Sequence, residues 1–516
     1  MYSIVSTASV CGIESVLVQV EADVCDGMPV FEMVGELSNE VKEAKERIRV
    51  AIRNTGIRLS PKRITINLYP AELRKSGTGF DLPIALAVLA AYGHISSKSL
   101  EDIVFAGEIS LNGDIHPIDG VLPMTIAAKE AGKKYICIPK ANAKEAGIVG
   151  NIQILPAENL QQLIQILQNR NNCKVPVNYH NNIEETESKK EENRYDFQQI
   201  RGQKVLKRVC EIAAAGRHNL LMLGPPGGGK TAAARAIPGI LPELSEEEAL
   251  ELAKIYSVSG MFGKREENFR KRPFCHPHHT ISVAGMAGGG KVPKPGEISL
   301  AHNGVLFLDE MTEFQKATLE VLRQPLEEGM IHLVRNQGTY SYPADIMLVA
   351  AMNPCNCGYY PNRNKCTCTP AMIRRHLQKI SRPLLDRIDL CVEVQKPGIL
   401  ELTGKGKEES SREISMRIKE VQRLQDMRYE KSNIRYNSRI PGEQIENFCP
   451  MEKEAQAMLA EAFESLELSV RGYYKVIRVA RTIADLEGKE KISSSHIAES
   501  LMYRNIDGKG WTGSDV

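Results

Sequence analysis

Asn219-Leu-Leu-Met-Leu-Gly224-Pro-Pro-Gly-Gly-Gly-Lys230-Thr231-Ala-Ala-Ala-Arg-Ala-Ile237 decides the fold. It reads as an apolar strand, a glycine loop and a helix. Gly224, Pro225, Pro226, Gly227, Gly228, Gly229, Lys230 and Thr231 form the loop. Successive backbone N–H groups freed by glycine can turn inward on phosphate oxygens. Lys230 adds a point charge, and Thr231 offers a hydroxyl to Mg²⁺. A chance glycine turn ending in Lys-Thr would not need a strand before it and a helix after it.

Downstream, Val305-Leu-Phe-Leu308 runs into Asp309-Glu310. A short, wholly apolar run is how a buried parallel strand reads, and ligands sit at the carboxyl edge of such sheets. Asp309 can hold Mg²⁺ through water, and Glu310 can orient and polarise the attacking water. Together with the loop, the pair implies hydrolysis of ATP and not binding alone. Ile346-Met-Leu-Val-Ala-Ala-Met352 is a third buried strand. Asn353 at its end is placed to contact the terminal phosphate and the water, because an amide donates and accepts without carrying charge. The competing reading is a turn-forming Asn before Pro354.

Composition sets bounds around this core. A chain of 516 residues suggests about three domains. Lys plus Arg (66) nearly balances Asp plus Glu (64), so any nucleic-acid binding must come from local patches. No apolar run has membrane length, and Met1–Val20 lacks the basic start and apolar core of a signal peptide. A cytoplasmic location is expected, with the 12 cysteines reduced.

Residues 168–194 are polar and without apolar periodicity, which predicts a linker. An α/β domain is expected over 1–167, an ATPase core over 195–397 and a mostly helical domain over 398–516. In the first, Val41, Ala44, Ile48 and Ile52 recur at helical spacing. Ile64–Leu68 alternates as a strand, Phe80–Tyr92 reads as a nearly all-apolar helix, and the run Ile103–Leu111 precedes a turn at Asn112-Gly113. A helix over 122–131 and a strand over Tyr135–Ile138 follow.

Gly107-Glu-Ile-Ser-Leu-Asn-Gly-Asp-Ile-His-Pro-Ile118, Ala127–Gly132 and Ile138-Pro-Lys140 resemble the proteolytic domain of Lon. The resemblance implies the ribosomal S5 domain 2-like fold and a Ser–Lys dyad. Here the nucleophile falls near Gly79 and the lysine near Leu122, and neither can form or activate a nucleophile. Lys75 and Ser76 are adjacent in a loop, which does not present a paired geometry. A scaffold or DNA-contacting role is expected in place of proteolysis.

Over nearly its full length the chain resembles the YifB/ComM group of magnesium-chelatase-like AAA+ ATPases. The shared segments are Arg201-Gly-Gln203, Pro277-His-His-Thr280, Pro295–Gly304, Pro383-Leu-Leu-Asp-Arg-Ile-Asp389 and Arg471–Asp485. Cys275 stands where the group usually has Arg. The resemblance implies a P-loop AAA+ core, a helical C-terminal lid and a homo-hexamer formed with ATP. It makes Arg387 an arginine finger for a neighbouring subunit; the alternative is a salt bridge to Asp386 or Asp389. Arg471 becomes the second sensor, ahead of Arg478. An insertion near Ala284–Lys291 would project toward the ring pore, where Lys291 and Lys294 meet DNA phosphates or remain solvated. The implied activity is a DNA motor, a branch-migration helicase acting on single-stranded or branched DNA. The alternative is a magnesium-chelatase-like ATPase that remodels a protein partner.

His278 and His279 invite a metal reading, but adjacent ligands on a loop chelate poorly, and a hydrogen-bonding role is expected. The cysteines carry a stronger signal. Cys355-Asn-Cys357 and Cys366-Thr-Cys368 lie on one short polar loop and can close a tetrahedral thiolate site, for which structural zinc is expected. One-residue spacing is less usual than two, so an iron–sulfur cluster or plain reduced thiols stay open.

Overall fold

The computed structural model describes residues 1–169, 195–265, 269–335, 338–362, 364–399 and 408–504. Most of the expected linker, and residues 400–407 with the start of the polar run 404–412, lie outside the described residues.

The N-terminal part is built on a seven-stranded mixed sheet. Its spatial order is Phe31–Val34, Arg63–Tyr69, Glu14–Cys25, Tyr2–Cys11, Ile103–Phe105, Tyr135–Pro139, Gln153–Ala157. Tyr2–Cys11 and Glu14–Cys25 pair antiparallel from Tyr2↔Asp23 to Cys11↔Glu14. Helix Asn39–Asn54 buries Val41, Ala44, Ile48, Ala51 and Ile52, the stripe that its spacing predicts. Burying Ile48 and Ile52 contributes about 1.5–3 kcal/mol each. Helix Asp81–Ala91 is buried along its whole length between that helix and the sheet, so it needs no polar face. Its first residue, Asp81, is held by Arg47 through two bonds of 2.9 Å.

The run 103–111 divides into two short strands. The first stops at Phe105, and Glu108–Ile109 pairs separately with Ile115–His116. The cause is Gly107, which bonds across to the loop that precedes the apolar helix. Its N–H donates to Gly79 and its carbonyl accepts from Leu82, both at 3.0 Å. A Cβ at Gly107 would lie 3.0 Å from Ile115 Cγ2, so no side chain marks the departure.

The second sheet has five strands, all parallel, in the order Phe274–Cys275, Val305–Leu308, Met347–Met352, Leu220–Leu223, Leu390–Glu393. Alternate side chains feed two separate cores. Leu220, Met222, Val305, Phe307, Met347, Val349 and Ala351 pack with helix Lys204–Gly216 and the helix after the phosphate loop. Leu221, Leu306, Leu308, Leu348, Ala350 and Met352 pack on the other face. Both faces are covered, which is why these strands are continuous apolar runs and not alternating ones.

The two α/β parts meet helix against helix. Helix Val121–Glu130 lies on helix Glu246–Ser259. Gly120 N–H donates to Ser257 O at 3.1 Å, and Leu122 N–H lies 3.3 Å from Ser257 Oγ. Leu122 is fully buried, so the position compared with a Lon lysine is packed into this junction.

Helices Ser411–Tyr429, Lys453–Ser465, Val470–Leu486 and Ser494–Met502 form the C-terminal part. A capping box of Ser410 and Glu413 starts the first of them. Helix Val470–Leu486 docks on the core through buried polar groups. Lys475 Nζ pairs with Asp389 Oδ1 at 2.8 Å, and His218 Nε2 lies 2.8 Å from Thr482 Oγ1.

His218 makes this junction sensitive to acid. Asp389, Lys475, Arg478 and Thr482 surround it, and burial pushes its imidazole down to about 4. Since that lies below the unfolded value, the unfolded chain takes up its proton first as pH falls. The contribution is complete above about pH 6.5 and is lost toward pH 4. It amounts to about 2–4 kcal/mol. Burial opposes the Asp389 anion too, but Lys475 and His218 outweigh it and hold that carboxyl down to about 2. Asp389 therefore acts in a lower window. Denaturant titrations at pH 7 and 4.5 should show the loss, and His218→Gln should flatten it.

Candidate nucleotide site

The loop 224–231 leaves the carboxyl end of strand Leu220–Leu223 and enters helix Lys230–Ala236. Gly229 has φ +89° with open space around a would-be Cβ, so backbone conformation requires glycine there. At Gly224 the requirement is space, since a Cβ would sit 2.2 Å from Val394 O. Lys230 Nζ is held by the carbonyls of Gly224 (2.5 Å) and Pro225 (2.9 Å) and by Asn353 Oδ1 (3.2 Å). Burial lowers its pKa, while Asp309 and Glu310 act in the opposite direction. An ammonium whose hydrogen-bond partners are neutral oxygens gains direct charge–charge attraction from an anionic phosphate, and burial strengthens that attraction.

Thr231 Oγ1 donates to Asp309 Oδ2 at 2.8 Å, which joins the two groups expected at Mg²⁺. Glu310 follows in the left-handed region, φ +51°. For a residue with a side chain, such a backbone costs about 1–3 kcal/mol and is kept where the surroundings enforce it. Here Glu310 N–H donates to Asp309 Oδ1 at 3.0 Å, and Glu313 N–H donates to Glu310 O at 2.7 Å. The turn leaves Glu310 exposed beside Asp309. Lys230, Thr231, Asp309 and Asn353 thus form one connected group at one sheet edge.

Gln203, named only as part of a shared segment, also belongs to this site. It opens helix Lys204–Gly216 with φ +53°. Its Nε2 donates to Gly228 O at 3.2 Å and to Gln395 O at 2.5 Å, tying the phosphate loop to the end of the neighbouring strand. Its left-handed backbone leaves no mark in the sequence, so no local pattern announces these contacts.

Arg387 and Arg471 lie elsewhere. Asn219 Nδ2 donates to Arg387 O at 2.9 Å, and Asn219 N–H donates to Asp389 Oδ2 at 2.8 Å. Asn219 precedes the strand whose other end carries Gly224. Four residues of strand separate those ends by about 13 Å. Arg387 therefore sits at the opposite edge of the sheet from its own phosphate loop. Its Nη2 pairs with Glu327, and Arg471 Nη2 meets the other oxygen of that carboxylate at 2.8 Å. Arg478 is largely buried near Asp389.

Lys291 is exposed beyond a two-stranded ribbon of Gly288–Gly289 and Lys294–Pro295. Lys294 Nζ pairs with Asp119 at 2.7 Å, linking this ribbon to the N-terminal part. A second ribbon, Met330–Arg335 with Gly338–Pro343, stands beside it. Tyr342 Oη donates to Pro293 O at 2.6 Å, and Val334 is 69% exposed near the tip.

Cys355, Cys357, Cys366 and Cys368 are, among the described residues, the group placed to hold a metal ion, with all sulfurs within 4.8 Å of one another. Sγ–Sγ distances are 3.4 Å for Cys355–Cys357, 3.8 Å for Cys355–Cys366 and 3.5 Å for Cys357–Cys366. Tetrahedral thiolates about 2.3 Å from zinc stand about 3.8 Å apart, so the donor set fits that ion. The loop touches the nucleotide site: a Cβ on Gly358 would lie 2.7 Å from Pro226 Cδ. His276 ring-packs on Phe307 at 4.9 Å, and His278 Nδ1 bonds to Thr280 Oγ1 at 2.8 Å.

A phosphate loop and an acidic strand end on a five-stranded parallel sheet, with a helical C-terminal part, define a AAA+ ATPase core. The description "Magnesium chelatase, subunit ChlI" matches residues 196–401. "Subunit ChlI of Mg-chelatase" matches 20–142, and "Magnesium chelatase, subunit ChlI C-terminal" matches 408–504. The uncharacterized protein YifB of Escherichia coli is 41% identical over 508 residues, covering 98% of this chain and 97% of that protein. The competence protein ComM of Haemophilus influenzae is 40% identical over 507 residues, 97% of each. An archaeal Lon protease of Thermococcus kodakarensis is 30% identical over 139 residues, 26% of this chain and 22% of that one. The chain belongs to the YifB/ComM family of magnesium-chelatase-like AAA+ ATPases, with a Lon-like N-terminal region.

The family implies ATP and Mg²⁺, and the residues fit both. Thr231 and Asp309 would hold Mg²⁺, which supplies neutralisation of phosphate charge. Among the described residues no helix is long and apolar enough to cross a membrane.

Proposed function

We propose that this chain is an ATP-driven ring motor acting on single-stranded or branched DNA, a branch-migration helicase of DNA uptake and recombination. The observation that carries the ring is the separation of Arg387 from its own phosphate loop by the length of a strand. A finger placed there completes a nucleotide site only on a second copy, and a closed homo-hexamer formed with ATP lets every copy both give and receive one. Within each site Lys230 and the loop amides bind phosphate, Asn353 and Glu310 align and polarise the water, and the neighbour's Arg387 offsets the developing charge. The DNA reading draws on the competence name of the Haemophilus relative and on the two ribbons, whose Lys291 and Val334 are exposed.

The test is ATP turnover, measured alone and with single-stranded, duplex and forked DNA. Stimulation by forked or single-stranded DNA, with strand exchange on a four-way junction, supports the motor. Turnover unmoved by any DNA favours the alternative, a magnesium-chelatase-like ATPase that remodels a protein partner.

The four-cysteine site is read as structural zinc at about one ion per chain, with zinc–sulfur distances of about 2.3 Å. It braces a loop that begins two residues after Asn353 and packs Gly358 on Pro226. Replacing Cys366 and Cys368 by Ser should release the metal and reduce assembly-dependent hydrolysis more than ATP binding. Elemental analysis without metal, on protein purified free of chelators and oxidants, would remove the site.

A further inference from the structure

Two arginines from different parts of the chain meet on one carboxylate. Glu327 lies on helix Arg323–Glu328 of the core and is about half exposed. One of its oxygens takes Arg387 Nη2, and the other takes Arg471 Nη2 at 2.8 Å. Neither arginine is near its own phosphate loop, because the 387–389 segment and helix Val470–Leu486 both dock at the far edge of the sheet. We propose that Glu327 is a positioning residue that gathers Arg387 and Arg471 at one spot, so that both reach the terminal phosphate of ATP held by a neighbouring copy. This rests on the reading of Arg387 as a finger that acts across a subunit boundary.

The two arginines are held very differently. Arg387 is nearly covered; its Nε donates to Arg323 O at 3.0 Å and its Nη1 to Pro383 O at 2.6 Å. Backbone oxygens thus fix it without help from Glu327. Arg471 opens the lid helix, is 57% exposed, and meets the core through Glu327. One turn further along that helix, the buried Lys475–Asp389 pair sets the helix against the finger segment. Glu327 does the same at the surface, for the side chain that has no other brace among these contacts.

A carboxylate beside a phosphate site could instead compete with the phosphate. Donor counting decides against that. A guanidinium has five N–H groups. Arg387 uses three nitrogens and Arg471 uses one, so N–H groups on both remain for a phosphate while Glu327 stays bound. Two arginines and one carboxylate also leave a positive excess facing the incoming anion. Without Glu327, two like charges would be left together and the exposed one would splay.

The experiment uses full-length protein with ATP, reading kcat, KM and assembly by light scattering. Glu327→Ala should lower kcat about tenfold, the scale of one lost charged hydrogen bond, while KM and assembly stay unchanged. Glu327→Gln keeps an acceptor and should lose less. Mixing Glu327→Ala with Glu310→Gln should restore turnover, since the second protein presents an intact arginine pair. In an Arg387→Ala, Arg471→Ala background, Glu327→Ala should cause no further loss. Unchanged or faster turnover by Glu327→Ala would overturn the proposal, and so would a loss that mixing does not repair. If Arg387→Ala is rescued by mixing and Glu327→Ala is not, only Glu327's role falls. If Arg387→Ala is itself not rescued, the cross-boundary reading falls and takes Glu327 with it.

Discussion

Glu310→Gln should bind ATP normally and hydrolyse it about 100-fold to 10,000-fold more slowly, the range that a positioned general base contributes. The substitution is nearly isosteric and leaves the backbone bonds that hold residue 310 at φ +51° untouched. What disappears is a carboxylate exposed beside Asp309, with no described role in packing. Lys230→Ala should fail earlier, at binding. Its ammonium is largely buried among the Gly224 and Pro225 carbonyls and Asn353, so its removal strips charge from the site and props from the loop. Hydrogen bonds to charged groups contribute about 1.5–3 kcal/mol, so affinity should drop at least about tenfold. Fluorescent nucleotide titration beside steady-state turnover separates the two defects. Normal turnover by Glu310→Gln would take the water-activating role away from that residue.

What the sequence disclosed depended on how local each feature is. The phosphate loop, Asp309-Glu310 and the paired cysteines are contiguous motifs whose chemistry is set by neighbours in the chain. The structure joins Thr231 to Asp309 and Lys230 to Asn353, contacts that strand order makes and spacing only suggests. Gln203 was named without a role, because its amide reaches Gly228 and Gln395, far along the chain. Glu327 was invisible for the same reason: on a short helix it reads as an ordinary surface acid, and its partners come from two other segments. The division of Ile103–Leu111 at Gly107 follows from a backbone approach to Gly79 that no pattern of apolar residues records. For Arg387, a bridge to Asp386 or Asp389 was the competing reading. The carboxylate it meets is Glu327, while Asp389 is committed to Lys475.

Arg387→Ala should bind ATP and lose hydrolysis by about 1,000-fold or more, the range over which arginine fingers act. Arg387 lies at the far edge of its own sheet, so on the proposed reading its loss would leave incomplete the site of the next copy and not its own. The consequence is complementation between two inactive proteins. Arg387→Ala retains Lys230, Asp309 and Glu310 but presents no finger; Glu310→Gln presents a finger but cannot activate water. In a ring mixed at random, the interfaces where Glu310→Gln faces the Arg387→Ala nucleotide site are complete. Turnover should therefore rise on mixing to a fraction of wild type, peaking near equal proportions, with neither protein active alone. Assembly must be followed in the same tubes, because Arg387 also ties Arg323, Pro383 and Glu327 together. Arg387→Lys keeps the charge without the planar fork and should recover little, because a point charge cannot reproduce fixed bidentate donors. Co-assembled rings that stay silent at every ratio would make Arg387 a brace of its own subunit and end the case for a shared site.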